Sequence, residues 1–123
     1  MSPKPTIRLK RAYEAPEPAD GRRILVERLW PRGITKDAAH LDAWVKDVAP
    51  SPELRKWYAH DPQKWPEFQR RYRAELEANP EGVAEGRQAI GRGPATFVFA
   101  AKDPVRNSAT LLRDFLLEGD ARA

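Results

Sequence analysis

The run Ala95-Thr96-Phe97-Val98-Phe99-Ala100-Ala101 carries no charge over seven residues and is rich in aromatic and β-branched side chains. A strand of that composition has no face suited to water, so it belongs at the centre of a sheet covered on both sides. Arg23-Ile24-Leu25-Val26-Glu27-Arg28-Leu29 has a similarly continuous apolar centre and supplies a second such strand. From Ile7 to Tyr13 apolar and charged residues largely alternate, as in a half-buried strand at a sheet edge.

The segments between these strands set the rest of the architecture. Pro16, Pro18 and the Asp20-Gly21 pair make residues 14–21 an irregular loop. It is too short for a helical crossover, so the first two strands are either antiparallel or not neighbours. Trp30-Pro31-Arg32-Gly33 forces a sharp turn after the second strand. Thr35 then reads as the N-cap of a helix that carries Leu41, Trp44, Val45 and Val48 on one face and ends at Pro50. Ser51-Pro52-Glu53 opens a short helix reaching about Ala59. Asp61-Pro62 opens a longer one, striped by Trp65, Phe68, Tyr72 and Leu76 and stopped at Asn79-Pro80. A helix over 81–90 contains Gly82 and Gly86, each costing about 1 kcal/mol relative to Ala. After a loop at 91–94 and the central strand, Asn107 or Ser108 caps a last helix with Leu111, Leu112, Phe115 and Leu116 on its apolar face.

The expected fold is therefore α/β: a single small three-layer-like domain over residues 1–123, with its ordered core at about 7–117. Its short sheet has about three strands with a parallel central pair, flanked by four to five helices. The chain has 123 residues, the size of one domain.

Composition narrows the chemistry. There is no cysteine, which removes thiolate nucleophiles, iron–sulfur clusters and Cys-based zinc sites. His40 and His60 lack metal-ligand spacing, so neither a metal site nor a cofactor is expected. No stretch approaches the roughly 18 apolar residues of a membrane span, and a cytoplasmic protein without a membrane partner is expected. A net charge of +4 leans towards anionic partners, a phosphorylated small molecule or nucleic acid.

Several helices separate the second strand from the last, which permits a parallel crossover and brings both carboxyl ends to one edge. Arg28, Trp30, Arg32 and Gly33 leave one strand there, and Lys102, Asp103 and Asn107 leave the other. Arginine forks, a glycine turn and a helix N-terminus suit an anion, so Arg28, Trp30, Arg32, Gly33, Lys102 and Asn107 are the candidate ligand-binding residues. The competing reading makes Arg28 and Arg32 ion-pair partners of Glu27, Asp37 or Asp42. His60 and Asp103 are weak candidates for an acid or base; Asp61 reads first as a helix cap. The basic helical middle, with Arg55, Lys56, Lys64, Arg70, Arg71 and Arg73, is interleaved with Glu67, Glu75 and Glu77 and reads as a solvated face. A binding module ranks first, an enzyme acting on a nucleotide or phosphorylated substrate second, and a structural or protein-interaction module third.

The stretch Asp20-Gly21-Arg22-Arg23-Ile24-Leu25-Val26-Glu27-Arg28-Leu29-Trp30-Pro31-Arg32-Gly33 resembles the signature of the YeaO-like family, whose domain has no established function. Residues 41–51, Glu53 to Trp57, Phe68 with Arg71-Tyr72 and Glu75-Leu76, and Ala100 to Asp103 with Asn107 and Leu111 resemble its later blocks. The resemblance implies a single cytoplasmic α/β domain. The chain departs from the pattern in two ways: Glu27 stands where the family strand has Asp, and Gly82 and Gly86 stand where its helix has better helix formers.

Overall fold

Backbone pairing puts the uncharged run between two partners. A computed structural model describes residues 6–103 and 105–122. In it β1 (Ile7–Arg11), β2 (Arg22–Leu25), β3 (Ala43–Trp44) and β4 (Ala95–Phe99) form one sheet in the order β1-β4-β2-β3, parallel throughout. The register sets Ile7 beside Ala95 and Ile24 beside Phe97, and every residue of β4 is buried. The α/β class, the edge position of the first strand and the parallel central pair agree with the sequence. Of the two arrangements open to the first two strands, the chain takes the second: they are not neighbours, and β4 lies between them.

Five helices accompany the sheet among the described residues: α1 (Lys36–Ala39), α2 (Pro52–Tyr58), α3 (Trp65–Glu77), α4 (Pro80–Ile90) and α5 (Ser108–Arg122). The period of two along the strands separates two apolar clusters. Ile24, Val26, Phe97 and Phe99 pack with Leu54, Phe68, Tyr72, Leu76, Ile90 and Leu112 from α2 to α5. Leu25 and Val98 point to the other face, where Trp30, Ile34, Leu41 and Trp44 cover them. The Tyr72 hydroxyl, inside the first cluster, donates to the Val48 carbonyl, so its one polar atom is satisfied.

Four expectations are corrected. The helix from Thr35 to Pro50 is a single turn followed by a fourth strand. Thr35 does cap it, accepting from the Ala38 N–H at 3.0 Å, but His40 adopts a left-handed conformation (φ 46°) and stops it. The open edge of β2 offers backbone groups that need partners, and the next residues satisfy them. Asp42 N–H donates to the Arg23 carbonyl (2.8 Å), Asp42 Oδ2 accepts the Arg23 N–H (2.7 Å), and Val45 N–H donates to the Leu25 carbonyl (2.9 Å). Leu41 and Trp44 therefore serve one sheet face while Val45 and Val48 serve the other, which a helical stripe cannot do. The sheet thus has four strands instead of about three. The second strand is also shorter than 23–29: pairing ends at Leu25, and Leu29 is 68% exposed. Within the 14–21 loop, Pro18–Asp20 forms a 3₁₀ turn with proline at its start. The last helix spans Ser108–Arg122. Pro104, in the expected connection before that helix, lies outside the described residues.

The two glycines of α4 are not equivalent. Asn79 caps the helix, accepting from the Gly82 N–H (3.0 Å) while its Nδ2 donates to the Asp47 carbonyl (2.8 Å). A Cβ at Gly82 would lie 2.3 Å from that Nδ2, whereas one at Gly86 would meet only Val48 Cγ1, at 3.6 Å. Gly86→Ala is therefore expected to raise stability by about 0.5–1 kcal/mol. Gly82→Ala displaces a cap worth about 1 kcal/mol and should gain nothing. Urea midpoints of the two variants check this; equal gains at both positions would show that the cap absorbs the methyl group.

Candidate functional site

Because all four strands are parallel, their carboxyl ends share one edge, and a cavity of about 530 Å³ opens there. Glu27 enters it just beyond β2, and Ala100 and Ala101 just beyond β4. The first residues of α5 and the segment before it contribute Arg106, Asn107 and Ser108. Helix α2 supplies Arg55, Lys56 and Tyr58 to the cavity lining. His60 and Phe68 complete the wall.

Each of these positions has a local cause. Helix α2 starts at Pro52 because Ser51 caps it through the Leu54 N–H (3.1 Å), and Glu75 of α3 holds Ser51 in place by accepting from its N–H (2.9 Å) and hydroxyl (2.6 Å). The helix ends in two successive left-handed residues that are not glycine, Ala59 (φ 48°) and His60 (φ 58°). Each such residue costs on the order of 1 kcal/mol, and together they turn the chain so that His60 reaches the cavity wall. Asp61 then caps the next turn through the Gln63 N–H (3.0 Å), as its sequence position implies. Tyr58 packs on Phe68 with ring centroids 4.5 Å apart, giving the cavity an aromatic side. Asn107 accepts from the Thr110 N–H (2.9 Å) and donates to the Asp103 carbonyl (3.0 Å), fixing the start of α5.

Among the lining residues Glu27 is the one acid, facing Arg55, Lys56, Arg106 and His60. Its Oε1 accepts the Ala100 N–H at 3.0 Å, tying the two strand ends together. Burial pushes the Glu27 carboxyl above its ordinary range, and the Ala100 N–H, Arg55 and His60 only partly counter it. The Tyr58 phenol is pushed up by burial and by Asp103.

The structure separates the residues chosen from the sequence. Asn107 and His60 line the cavity. Arg28 stands behind its wall, donating from Nε to the Pro50 carbonyl (3.1 Å) and from Nη2 to the Ala49 carbonyl (3.3 Å), so its partners are carbonyls and not the carboxylates considered above. Trp30 belongs to the opposite face of the sheet, with its indole N–H on the Ile34 carbonyl (2.5 Å) and its ring edge-on to Trp44. Arg32, Gly33 and Lys102 are exposed and do not line the cavity; the Arg32 carbonyl accepts from the Tyr13 hydroxyl (3.2 Å). The Asp103 carboxylate accepts from the N–H groups of Arg106 and Val105, both at 2.9 Å, which holds its pKa below the ordinary range. A carboxylate so engaged is suited to shaping the turn before α5. Glu27, Arg55, Lys56, Tyr58 and Arg106 were absent from the candidate set. A carboxylate ending an otherwise apolar strand was the signal for Glu27; the others depend on how α2 and α5 pack.

The basic helical middle divides as well. Arg70 and Arg71 both pair with Glu67, Arg73 with Glu118, and Lys64 donates to the Trp57 carbonyl at 2.7 Å. Glu67 is lowered to about 2 by the two arginines. Arg55 and Lys56 are left facing the cavity. Among the described residues no group of three or more His, Asp or Glu is placed to hold a metal ion, and no helix is long and apolar enough to cross a membrane.

Fold and site together define a small parallel α/β protein with an open cavity at the carboxyl edge of its sheet, lined by apolar residues together with Arg55, Lys56 and Arg106. The chain belongs to the family described as the inactive DUF488-N3 subclade, DUF488-N3i, whose model matches residues 6–123. It is 44% identical over 110 residues to an uncharacterised protein of Mycobacterium tuberculosis H37Rv, covering 89% of this chain and 92% of that protein. It is 39% identical over 110 residues to the uncharacterised protein YeaO of Escherichia coli K12, covering 89% and 96%, which bears out the YeaO-like resemblance. No solved structure matches the chain.

Proposed function

We propose that this protein is a binding module for a small phosphate-bearing ligand seated in the cavity at the strand carboxyl ends. The observation that carries this reading is the convergence of Arg55, Lys56 and Arg106, with His60, on a cavity whose lining holds one acid. Guanidinium groups offer forked donors that match phosphate oxygens. Ser108, the first residue of α5, lines the same wall, and the start of a helix favours an anion.

Two observations favour a small ligand, and two favour binding without turnover. A cavity of about 530 Å³ is of small-molecule size, and the remaining arginines of the helical middle are already paired with glutamates, which leaves no continuous basic stripe for a nucleic-acid backbone. The family description is of an inactive subclade, and Asp103 is committed to backbone donors.

Isothermal titration with inorganic phosphate, small phosphate esters and single-stranded DNA at two salt concentrations tests the reading. Saturable binding of the small phosphates is expected, weakened about 10-fold or more in Arg55→Ala and in Arg106→Ala, since each removes a hydrogen bond to a charged group. Absence of saturable binding, or affinity unchanged in both variants, would remove the phosphate reading. Tight binding of DNA alone would shift it to nucleic acid.

A further inference from the structure

The acid in the cavity is the feature that a simple anion site does not explain. A carboxylate beside a bound phosphate repels it, and this one is also partly withdrawn from water, so Glu27 weakens the binding of a bare anion. Its structural duty uses half of the group: Oε1 accepts the Ala100 N–H, while Oε2 takes no hydrogen bond among the described residues and remains open to solvent. Arg55, Arg106 and His60 line the same cavity of about 530 Å³ as Glu27, so one small molecule can meet both the arginines and the carboxylate. In the same lining the packed Tyr58 and Phe68 rings form an aromatic side.

We infer that the ligand is a phosphate ester of a polyol or sugar, whose phosphate rests on Arg55 and Arg106 while a hydroxyl group donates to Glu27 Oε2. This rests on the phosphate reading above and adds a selection rule to it. A hydroxyl donor converts the carboxylate from a repelling neighbour into a charge-assisted acceptor, and the C–H face of the sugar fits against the aromatic side. A simple alkyl phosphate dianion meets the arginines but has no hydroxyl group to offer Oε2.

The test compares methyl phosphate with ribose 5-phosphate by isothermal titration, in the wild type and in Glu27→Gln. Glutamine can still accept the Ala100 N–H, and it then turns an amide N–H₂ into the cavity where an acceptor stood. In the wild type, ribose 5-phosphate is expected to bind about 10-fold more tightly than methyl phosphate. In Glu27→Gln the difference should shrink to about 2-fold, with methyl phosphate binding more tightly than in the wild type because the repelling charge is gone. Equal affinities for the two esters in the wild type would overturn the inference even if the variant failed to fold. A Glu27→Gln change that weakens both esters alike would also overturn it, by showing a role confined to holding the strand ends. If Arg55→Ala still abolishes methyl phosphate binding in either case, the phosphate reading stands and the hydroxyl rule alone fails; if no ester binds the wild type, both fall.

Discussion

Asp20→Ala is expected to cost about 3–5 kcal/mol in urea unfolding, enough to leave a domain of this size marginal. Asp20 is 3% exposed and is the counter-ion of two cations from different strands, Arg23 at 2.7 Å and Lys10 at 3.1 Å. Its Oδ2 also accepts the Glu17 N–H (3.0 Å), and its carbonyl accepts the Thr96 hydroxyl (2.7 Å). The substitution strands Arg23, whose side chain is 4% exposed and whose Nη2 already lacks a hydrogen bond among the described residues. Burial pushes the Asp20 carboxyl up, but the Glu17 N–H, Lys10 and Arg23 outweigh it, so the folded-state pKa lies below the ordinary value of 3.8. The associated stability is fully present above that ordinary value and is lost as pH falls through the lower folded-state value. The wild-type advantage over Asp20→Ala should therefore be flat near neutrality and narrow only in strong acid. A loss below about 1 kcal/mol would show that water reaches Arg23 and replaces the carboxylate.

Gly21→Ala, one residue on, should be comparably damaging for a different reason. Gly21 has φ 64° and ψ −135°, a backbone region essentially reserved for glycine. A Cβ there would lie 2.2 Å from the Pro94 carbonyl oxygen, which is backbone and also accepts the Arg22 N–H at 3.1 Å. Relief of the clash therefore moves the first pairing between β2 and the segment leading into β4. A loss of about 3 kcal/mol or more is expected from strain and overpacking together. Circular dichroism melts of Gly21→Ala measure it, and a melting temperature within a degree or two of the wild type would mean that the 91–94 loop yields freely.

How far the sequence reveals this molecule depends on whether a signal is local. Strand β4 was legible because seven uncharged residues have one sensible environment, and the caps at Thr35, Ser51, Asp61 and Asn107 all form as side-chain chemistry dictates. Strand β3 was not legible. Two residues have no periodicity, and Leu41, Trp44, Val45 and Val48 fall by coincidence at helical spacing, although they divide between opposite faces of the sheet. The edge of the sheet that carries the cavity followed from parallel topology, yet most of its lining did not. Arg28 and Trp30 flank Leu29 in sequence, but a strand that ends at Leu25 releases them in different directions, one to the Ala49 and Pro50 carbonyls and one to the far face. Arg55 and Tyr58 reach the cavity only because Ser51 is fastened to Glu75 on another helix.

The strand order also dictates when the protein can become a protein. β1 is the first strand to be synthesised, and its partner in the sheet is β4, the last, with Ile7 set against Ala95. β2 likewise waits for β4 on one side and has only the two residues of β3 on the other. Until that final strand emerges, a nascent chain holds its apolar strand faces without the element that joins them, and the entropy of closing the longest loop must be met before the sheet's contacts are gained. Completion of the sheet is thus expected to be a late event. A chain interrupted ahead of Ala95 carries most of the residues of this fold and none of its central pairing, the state most open to association with other unfinished chains.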